Sequence, residues 1–211
     1  MANAPPDFTD ARYFDRIDPE PDTVFYQMPR LVIHVDEHAR QALAAWFAKT
    51  LPADGDILDL MSAWRSHLPD DAHYASVIGQ GMNTTELWEN PALTGRLIQD
   101  LNVLPSLPFK DASFDAVILS FSMQYLTQPV AILAEVARVL KPGGKFQTAY
   151  SNRLFPTKAV AVWQACSDPE RARLIVAYLQ QAGGFKDFAA DRLVEYASGY
   201  DPLFVVSATR A

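Results

Sequence analysis

The sequence predicts a three-layer α/β sandwich around a mostly parallel, seven-stranded sheet. Three observations carry that expectation. Short apolar runs without polar alternation, such as Phe114–Ser120, recur along the chain, and such runs suit strands buried on both faces. Between them lie segments whose apolar residues fall at three-to-four spacing, the period of a helix with one buried face. Alternation of the two kinds implies helices packed on both faces of a parallel sheet. A length of 211 residues suits one such domain with a full core.

Residues 1–35 read as an irregular lead-in to a domain at 36–211. The first thirty residues hold five prolines and the aromatics Phe8, Tyr13, Phe14, Phe25 and Tyr26. A lead-in of this kind either folds over a pocket as a lid or stays loose as a terminus. Asp36 then caps a helix with Ala39, Leu43, Phe47 and Leu51 on its apolar face. Strands are expected at 56–60, 74–78, 96–99 and 114–120. A helix over 130–140 meets a stop at Lys141-Pro142-Gly143-Gly144, a cation followed by a helix breaker and two flexible residues. A strand at 145–150, helices at 156–166 and 169–182, a break at Gly183-Gly184, and strands at 185–192 and 203–209 complete the order. Ligands of such sheets bind beyond the carboxyl ends of the strands, near the switch point. The residues just after each strand are therefore the informative ones.

Composition narrows the function classes. Eighteen Lys and Arg against 25 Asp and Glu leave a formal charge of −7. That argues against broad nucleic-acid binding, which needs a basic footprint, while leaving room for a local basic pocket. A hydrophobic content of 49% excludes wholesale disorder. Cys166 is the sole cysteine, so neither an intrachain disulfide nor a cysteine zinc cluster can form, which fits a reducing compartment. No apolar run approaches the roughly 18 residues that span a bilayer. Residues 1–6 lack the charged start and apolar centre of a leader. The expectation is a soluble, cytoplasmic protein without a structural metal.

Read together, the strand ends carry a pattern. Asp59-Leu-Met-Ser-Ala-Trp64 follows the first strand, Gly79-Gln-Gly-Met-Asn83 the second and Asp100-Leu-Asn102 the third. Leu107-Pro-Phe109, then Ser113-Phe-Asp-Ala-Val117 and the run Ser120-Phe-Ser-Met-Gln-Tyr125, lead to Glu135-x-x-Arg138-Val-Leu-Lys-Pro-Gly-Gly144. From about residue 56 to 150, in order and spacing, this series resembles the class I S-adenosylmethionine-dependent methyltransferases of the type 11 kind, with a Rossmann-like fold. The resemblance implies S-adenosylmethionine as cofactor and a small molecule as methyl acceptor.

It also implies a cofactor site made by Asp59, Met61, Ser62 and Ala63, by Gly79, Gly81, Met82 and Asn83, by Asp100, Leu101 and Asn102, and by Ser120, Phe121 and Ser122. The acceptor would sit above Tyr125, walled by Asn152, Arg153 and Lys158, whose cations suit a carboxylate or phosphate. His67, His34 and Tyr125 are the candidate acid–base groups. Arg16 and Arg30 can reach the cofactor carboxylate if the lead-in folds over. Two departures stand out. The family's glycine-rich loop after the first strand is replaced by Met61, Ala63 and Arg65, and the acid at the end of the second strand by Gly81, so that Asn83 or Glu86 would have to substitute.

Local readings compete with these. Asp59 can bond its own loop, Asn83 with Glu86 can form a capping box, Trp64 can pack in the core, and Glu135 with Arg138 can be a helix-surface pair worth a few tenths of a kcal/mol. Other classes compete too. The run Gly79 to Thr84 with Asp100 after it suggests a nicotinamide dehydrogenase, and His34-Val-Asp-Glu-His38 matches an inverted zinc-peptidase motif. The altered loop also suits a methyltransferase scaffold that has lost its cofactor and binds a partner instead.

Overall fold

Seven strands form one sheet in the order β3-β2-β1-β4-β5-β7-β6. They are β1 (Asp56–Leu60), β2 (Ser76–Gly81), β3 (Gly95–Ile98), β4 (Phe114–Ser120), β5 (Leu140–Tyr150), β6 (Phe185–Val194) and β7 (Leu203–Arg210). This computed structural model describes residues 8, 10–196 and 199–211. Residues 1–6, read above for a leader, lie outside them. β1 to β5 pair in parallel, and β7 runs antiparallel to both β5 and β6.

The helices are α1 (Asp22–Phe25), α2 (Glu37–Thr50), α3 (Thr84–Trp88), α4 (Pro129–Val139), α5 (Ala161–Ala165) and α6 (Asp168–Ala182). The β4 run shows why an unbroken apolar stretch is needed. Ala116 and Ile118 pack with Leu43 and Phe47 of α2, while Val117 and Leu119 pack on the other face with Ile132 and Val136 of α4. Asp36 caps α2 as expected, its Oδ1 accepting from the Ala39 amide at 2.8 Å. No helix among the described residues is long and apolar enough to cross a membrane.

Three boundaries differ from the sequence reading, each for a physical reason. β2 starts at Ser76, opposite Asp56, and runs through Gly79 and Gln80 to Gly81. Those residues look like loop formers but are held by parallel pairing on both sides. β5 begins at Leu140, and Lys141 to Gly144 form a bulge inside it, with Phe114 opposite Leu140 and Ala116 opposite Lys145. Helix α5 is only five residues long, not eleven. Its expected first turns are taken by the lead-in: Thr157 accepts from the Asp18 amide, and Ala161 donates to the Asp15 carbonyl.

The Glu135–Arg138 pair is more than a surface contact. Arg138 donates to Glu135 and also reaches the Leu107 and Phe109 carbonyls and the Asp111 carboxylate, and Glu135 accepts from the Leu107 amide at 2.8 Å. The pair clamps the Leu107–Phe109 loop to α4. Arg138→Ala should therefore lower the unfolding free energy by about 1–2 kcal/mol, allowing for partial exposure. Arg12→Ala, which removes only an exposed pair with Asp10, should leave it unchanged. Urea denaturation of both variants checks the contrast.

Candidate functional site

The sheet's parallel half opens a cavity of about 300 Å³ at the carboxyl ends of β1, β2, β3 and β4. This is the switch point, where the chain passes from β3 on one side of β1 to β4 on the other. Its volume lies at the lower end of ligand pockets.

Asp59, one residue before the end of β1, is 2% exposed. Burial pushes this carboxyl up to about 7, against hydrogen bonds from Ser62 and Ser66 that favour the charged form. The next residue but one, Met61, has φ +52°, a left-handed conformation that glycine adopts without strain. The geometry of a glycine loop is thus kept without the glycine. What holds it is Gln80, 1% exposed, in the last turn of β2. Its Oε1 accepts from the Met61 amide, its carbonyl accepts from the Ser62 amide, and its Nε2 donates to the Gln99 carbonyl. Asn90 secures the far side of the loop through the Ala63 carbonyl and Ser66 Oγ.

The missing acid at the end of β2 has a steric cause. A Cβ on Gly81 would stand 2.4 Å from the Ser62 carbonyl oxygen. Position 81 therefore holds no side chain while the loop keeps this path. Glu86 faces the pocket instead, 8% exposed, with its pKa raised by burial. The expected capping box is only half made: Asn83 Oδ1 accepts from the Glu86 amide, but Glu86 accepts from the Arg30 amide. Asp100 lines the pocket below β3, one oxygen accepting from the Asn102 amide. Asn102 also lines it, yet its amide group is fully engaged with Asp22, the Tyr125 carbonyl and Thr127.

Beyond β4, Phe121 is left-handed at φ +57° and sets its ring edge-on to His67, itself at φ +57°. Burial, aided by the charge of Arg40, pushes the His67 imidazole down to about 4. His34 is likewise lowered, first by burial and then by Arg30. Tyr125 is buried and its hydroxyl accepts from the Phe155 amide at 2.8 Å. Met82, Leu101, Ser120 and Ser122 also line the cavity.

The lead-in forms the roof. Tyr26, Arg30 and Val32 to Val35 line the pocket. Asn83 Nδ2 holds the Tyr26 and Gln27 carbonyls, and Trp64 Nε1 holds the Val32 carbonyl. Trp64 is thus pocket wall, not core.

Three expected site residues lie elsewhere. Gly79 packs against Leu93, where a side chain would collide. Asn152 is exposed and outside the lining. Lys158 is fully buried, pairing with Asp18 and Asp22 and donating to the Glu20 carbonyl. Its charge pins the lead-in and is spent within the protein. Arg16 is also spent, on Asp22. The zinc-peptidase geometry is absent, because Asp36 caps α2 and leaves His34 before the helix. Among the described residues no three His, Cys, Asp or Glu side chains stand together as a metal site. The sequence reading missed Phe155, and it placed Gln80 among the site residues without its role in holding the loop after β1.

Three buried polar atoms of the lining have no partner in the protein: Arg30 Nη1, His67 Nδ1 and Ser120 Oγ. With the Asp59 and Asp100 carboxyls that line the same cavity, they fit a ligand that carries charge and hydrogen-bonding groups at both ends, as S-adenosylmethionine does.

Comparison with known proteins agrees. Residues 81–148 match the family described as Methyltransferase domain. A demethylmenaquinone methyltransferase of Renibacterium salmoninarum is 52% identical over 44 residues, 21% of this chain and 19% of that protein. The corresponding enzyme of Corynebacterium kroppenstedtii is 32% identical over 123 residues, 44% of this chain and 52% of that protein. The chain thus spans about a fifth to a half of the length of these relatives. A Thermotoga maritima S-adenosylmethionine-dependent methyltransferase superposes with TM-score 0.60 at 17% identity, covering 82% of this chain and 90% of that one. The cyclase SpnF superposes with TM-score 0.63 at 15% identity, covering 89% and 91%. The segment 81–148 thus carries the methyltransferase-domain pattern, and the fold of the chain is the one these solved proteins share.

Gly81→Ala should lower stability by about 1–3 kcal/mol, since the new methyl meets backbone. Gly79→Ala should cost less, since it meets the movable end of Leu93. Thermal unfolding of the two variants tests the order.

Proposed function

We propose that the protein transfers a methyl group from S-adenosylmethionine to a small molecule. The observation that carries this reading is the single cavity onto which Asp59, Gly81, Asp100 and Ser120, the ends of four parallel strands, all open. When bound, the cofactor supplies a methyl group already activated on a sulfonium. The chain's own task is to hold two molecules in line and keep water out.

Asp100 would accept from the adenine amine. Glu86 would take the ribose hydroxyls in place of the acid that Gly81 excludes. Asp59 would face the ammonium of the methionine end. Tyr125, His34, Phe121 and Phe155 would wall the acceptor, with the lead-in as lid. His67 would orient the acceptor through a neutral lone pair. The relatives named as demethylmenaquinone methyltransferases support an organic small-molecule acceptor.

A second reading keeps the fold and drops catalysis. It rests on one observation: the Met61 and Ser62 amides are already satisfied by Gln80. Calorimetric titration with S-adenosylhomocysteine decides between them. Stoichiometric binding weakened at least about tenfold by Asp100→Ala supports the methyltransferase. No binding by the folded protein supports the scaffold.

Asp59 adds a pH signature. Its folded pKa is raised, so its contribution to stability is present below about pH 4 and is lost as pH rises through about 7. Between those limits the wild type should lose about 1.4 kcal/mol per pH unit that Asp59→Asn does not lose. An ammonium ligand needs the ionised carboxylate. S-adenosylhomocysteine affinity should therefore fall by up to about tenfold per unit below pH 7 in the wild type and stay flat in Asp59→Asn. A pH-independent wild-type affinity would remove Asp59 from the cofactor site.

A further inference from the structure

The acceptor end of the pocket holds a cation without an anion. Arg30 lies over three aromatic rings, with its guanidinium carbon 4.4 Å from the Phe25 centroid, 5.3 Å from Phe155 and 5.6 Å from Tyr26. Nη2 donates to the Phe25 carbonyl at 2.9 Å. Nη1 is shut off from solvent and has no partner. A guanidinium fixed by stacking on one side and one hydrogen bond on another is preorganised to offer its remaining edge to a planar oxyanion.

The nearby carboxylates do not satisfy it. Glu86 accepts from the Arg30 backbone amide, not from the guanidinium. Asp22, which lines the same cavity, is held by Arg16, Lys158 and Asn102. A second guanidinium stands at the mouth. Arg153 lines the same pocket and is tethered through Nε to Asp201 at 2.8 Å, a bond that does not use its two outer nitrogens. Phe155, whose ring lies under Arg30, also meets His34 edge-on at 5.2 Å and Tyr125 at 6.0 Å. The flat, apolar surface for an acceptor ring and the cationic edge are therefore continuous.

Resting on the methyltransferase reading, we propose that this pocket contains a carboxylate site formed by Arg30 Nη1 with Arg153, and that it selects an aromatic acid as methyl acceptor. It takes the role expected of Lys158, whose charge is paired with Asp18 and Asp22. The same chemistry exists in the cofactor's own carboxylate. Arg30's place over Phe155, whose ring in turn meets Tyr125 and His34, favours the acceptor.

The test is a titration of the full chain, with and without saturating S-adenosylhomocysteine, against benzoate, phenylacetate and cinnamate and against their primary amides. Ligand-observed NMR reads the binding. The wild type should bind at least one acid about tenfold or more tightly than its amide. Arg30→Gln should abolish that preference, Arg30→Lys should keep part of it, and Arg153→Gln should reduce it. Circular dichroism and thermal unfolding confirm that each variant is folded, and Arg30→Lys serves if Arg30→Gln is not.

Separate titrations with S-adenosylhomocysteine and 5′-methylthioadenosine locate the source of the carboxylate. If Arg30→Gln weakens the first and spares the second, the site is real but belongs to the cofactor, which overturns the choice of an acidic acceptor. If no acid is preferred over its amide and both adenosyl ligands bind Arg30→Gln as they bind the wild type, the carboxylate site is overturned while the methyltransferase reading stands. If the wild type binds no adenosyl ligand, that reading fails, and the acid and amide titrations on the free protein still decide the site.

Discussion

One buried amide sets the shape of the pocket. Gln80 sits in β2 between the ends of β1 and β3 and bonds to both sides, through the Met61 amide and the Gln99 carbonyl. An unpaired amide there would cost several kcal/mol, so its partners are fixed. Fixing the Met61 amide drives Met61 into a left-handed turn, at a cost of roughly 1–2 kcal/mol for a residue with a Cβ. The turn carries the Ser62 carbonyl over position 81, and that position must then be glycine. The carboxyl that faces the pocket on this side is then Glu86, five residues further along the chain. Two departures from the family pattern, the glycine-poor loop and the lost acid, are therefore one structural event.

The roof depends on a different device, a buried charge network. Lys158 is fully withdrawn from solvent, yet it has Asp18, Asp22 and the Glu20 carbonyl around it. Asp22 in turn takes both oxygens' worth of Arg16 and the side chain of Asn102. Ions this deep are tolerated only when every valence is met, and removal of one partner leaves a bare charge. Asn102 also holds the Tyr125 carbonyl and Thr127. The lead-in is thereby tied to the loop after β3 and to the approach to α4, the same two segments that bound the cavity. Position of the roof and position of the wall after β3 cannot vary independently.

These two networks explain what the sequence showed and what it hid. The strands were legible because continuous apolar runs have no other use in a chain of this size, and the helix α4 was legible from its spacing and its stop. Strand ends were less so: Gly79, Gln80 and Gly81 have poor strand propensity and are held by pairing from β1 and β3, which local reading does not see. Asp59, Asp100, Tyr125 and His67 were found because they follow strands, and the structure brings them to one cavity. Lys158 was misread because a lysine after a strand looks available until its partners, some 140 residues earlier in the chain, are known. Arg138 was underrated for the same reason: its helix neighbour Glu135 is visible in sequence, its loop acceptors are not.

The electrostatics of the pocket also restrict the chemistry it can assist. His67 stays neutral because burial and the charges of Arg40 and Arg65 oppose a proton there. A group with so low a proton affinity is a poor base toward an alcohol or an amine, whose protons are held far more strongly. Asp59 has a proton affinity near neutrality, but it lies on the β1 side and bonds to Ser62. Tyr125 is raised by burial and already accepts from the Phe155 amide. The groups facing the acceptor therefore orient and desolvate more readily than they remove protons. A positive edge at Arg30 and Arg153 works in the same direction, because it favours an acceptor that enters already ionised. On the methyltransferase reading, such a pocket suits acceptors whose attacking atom carries its own lone pair or negative charge at working pH.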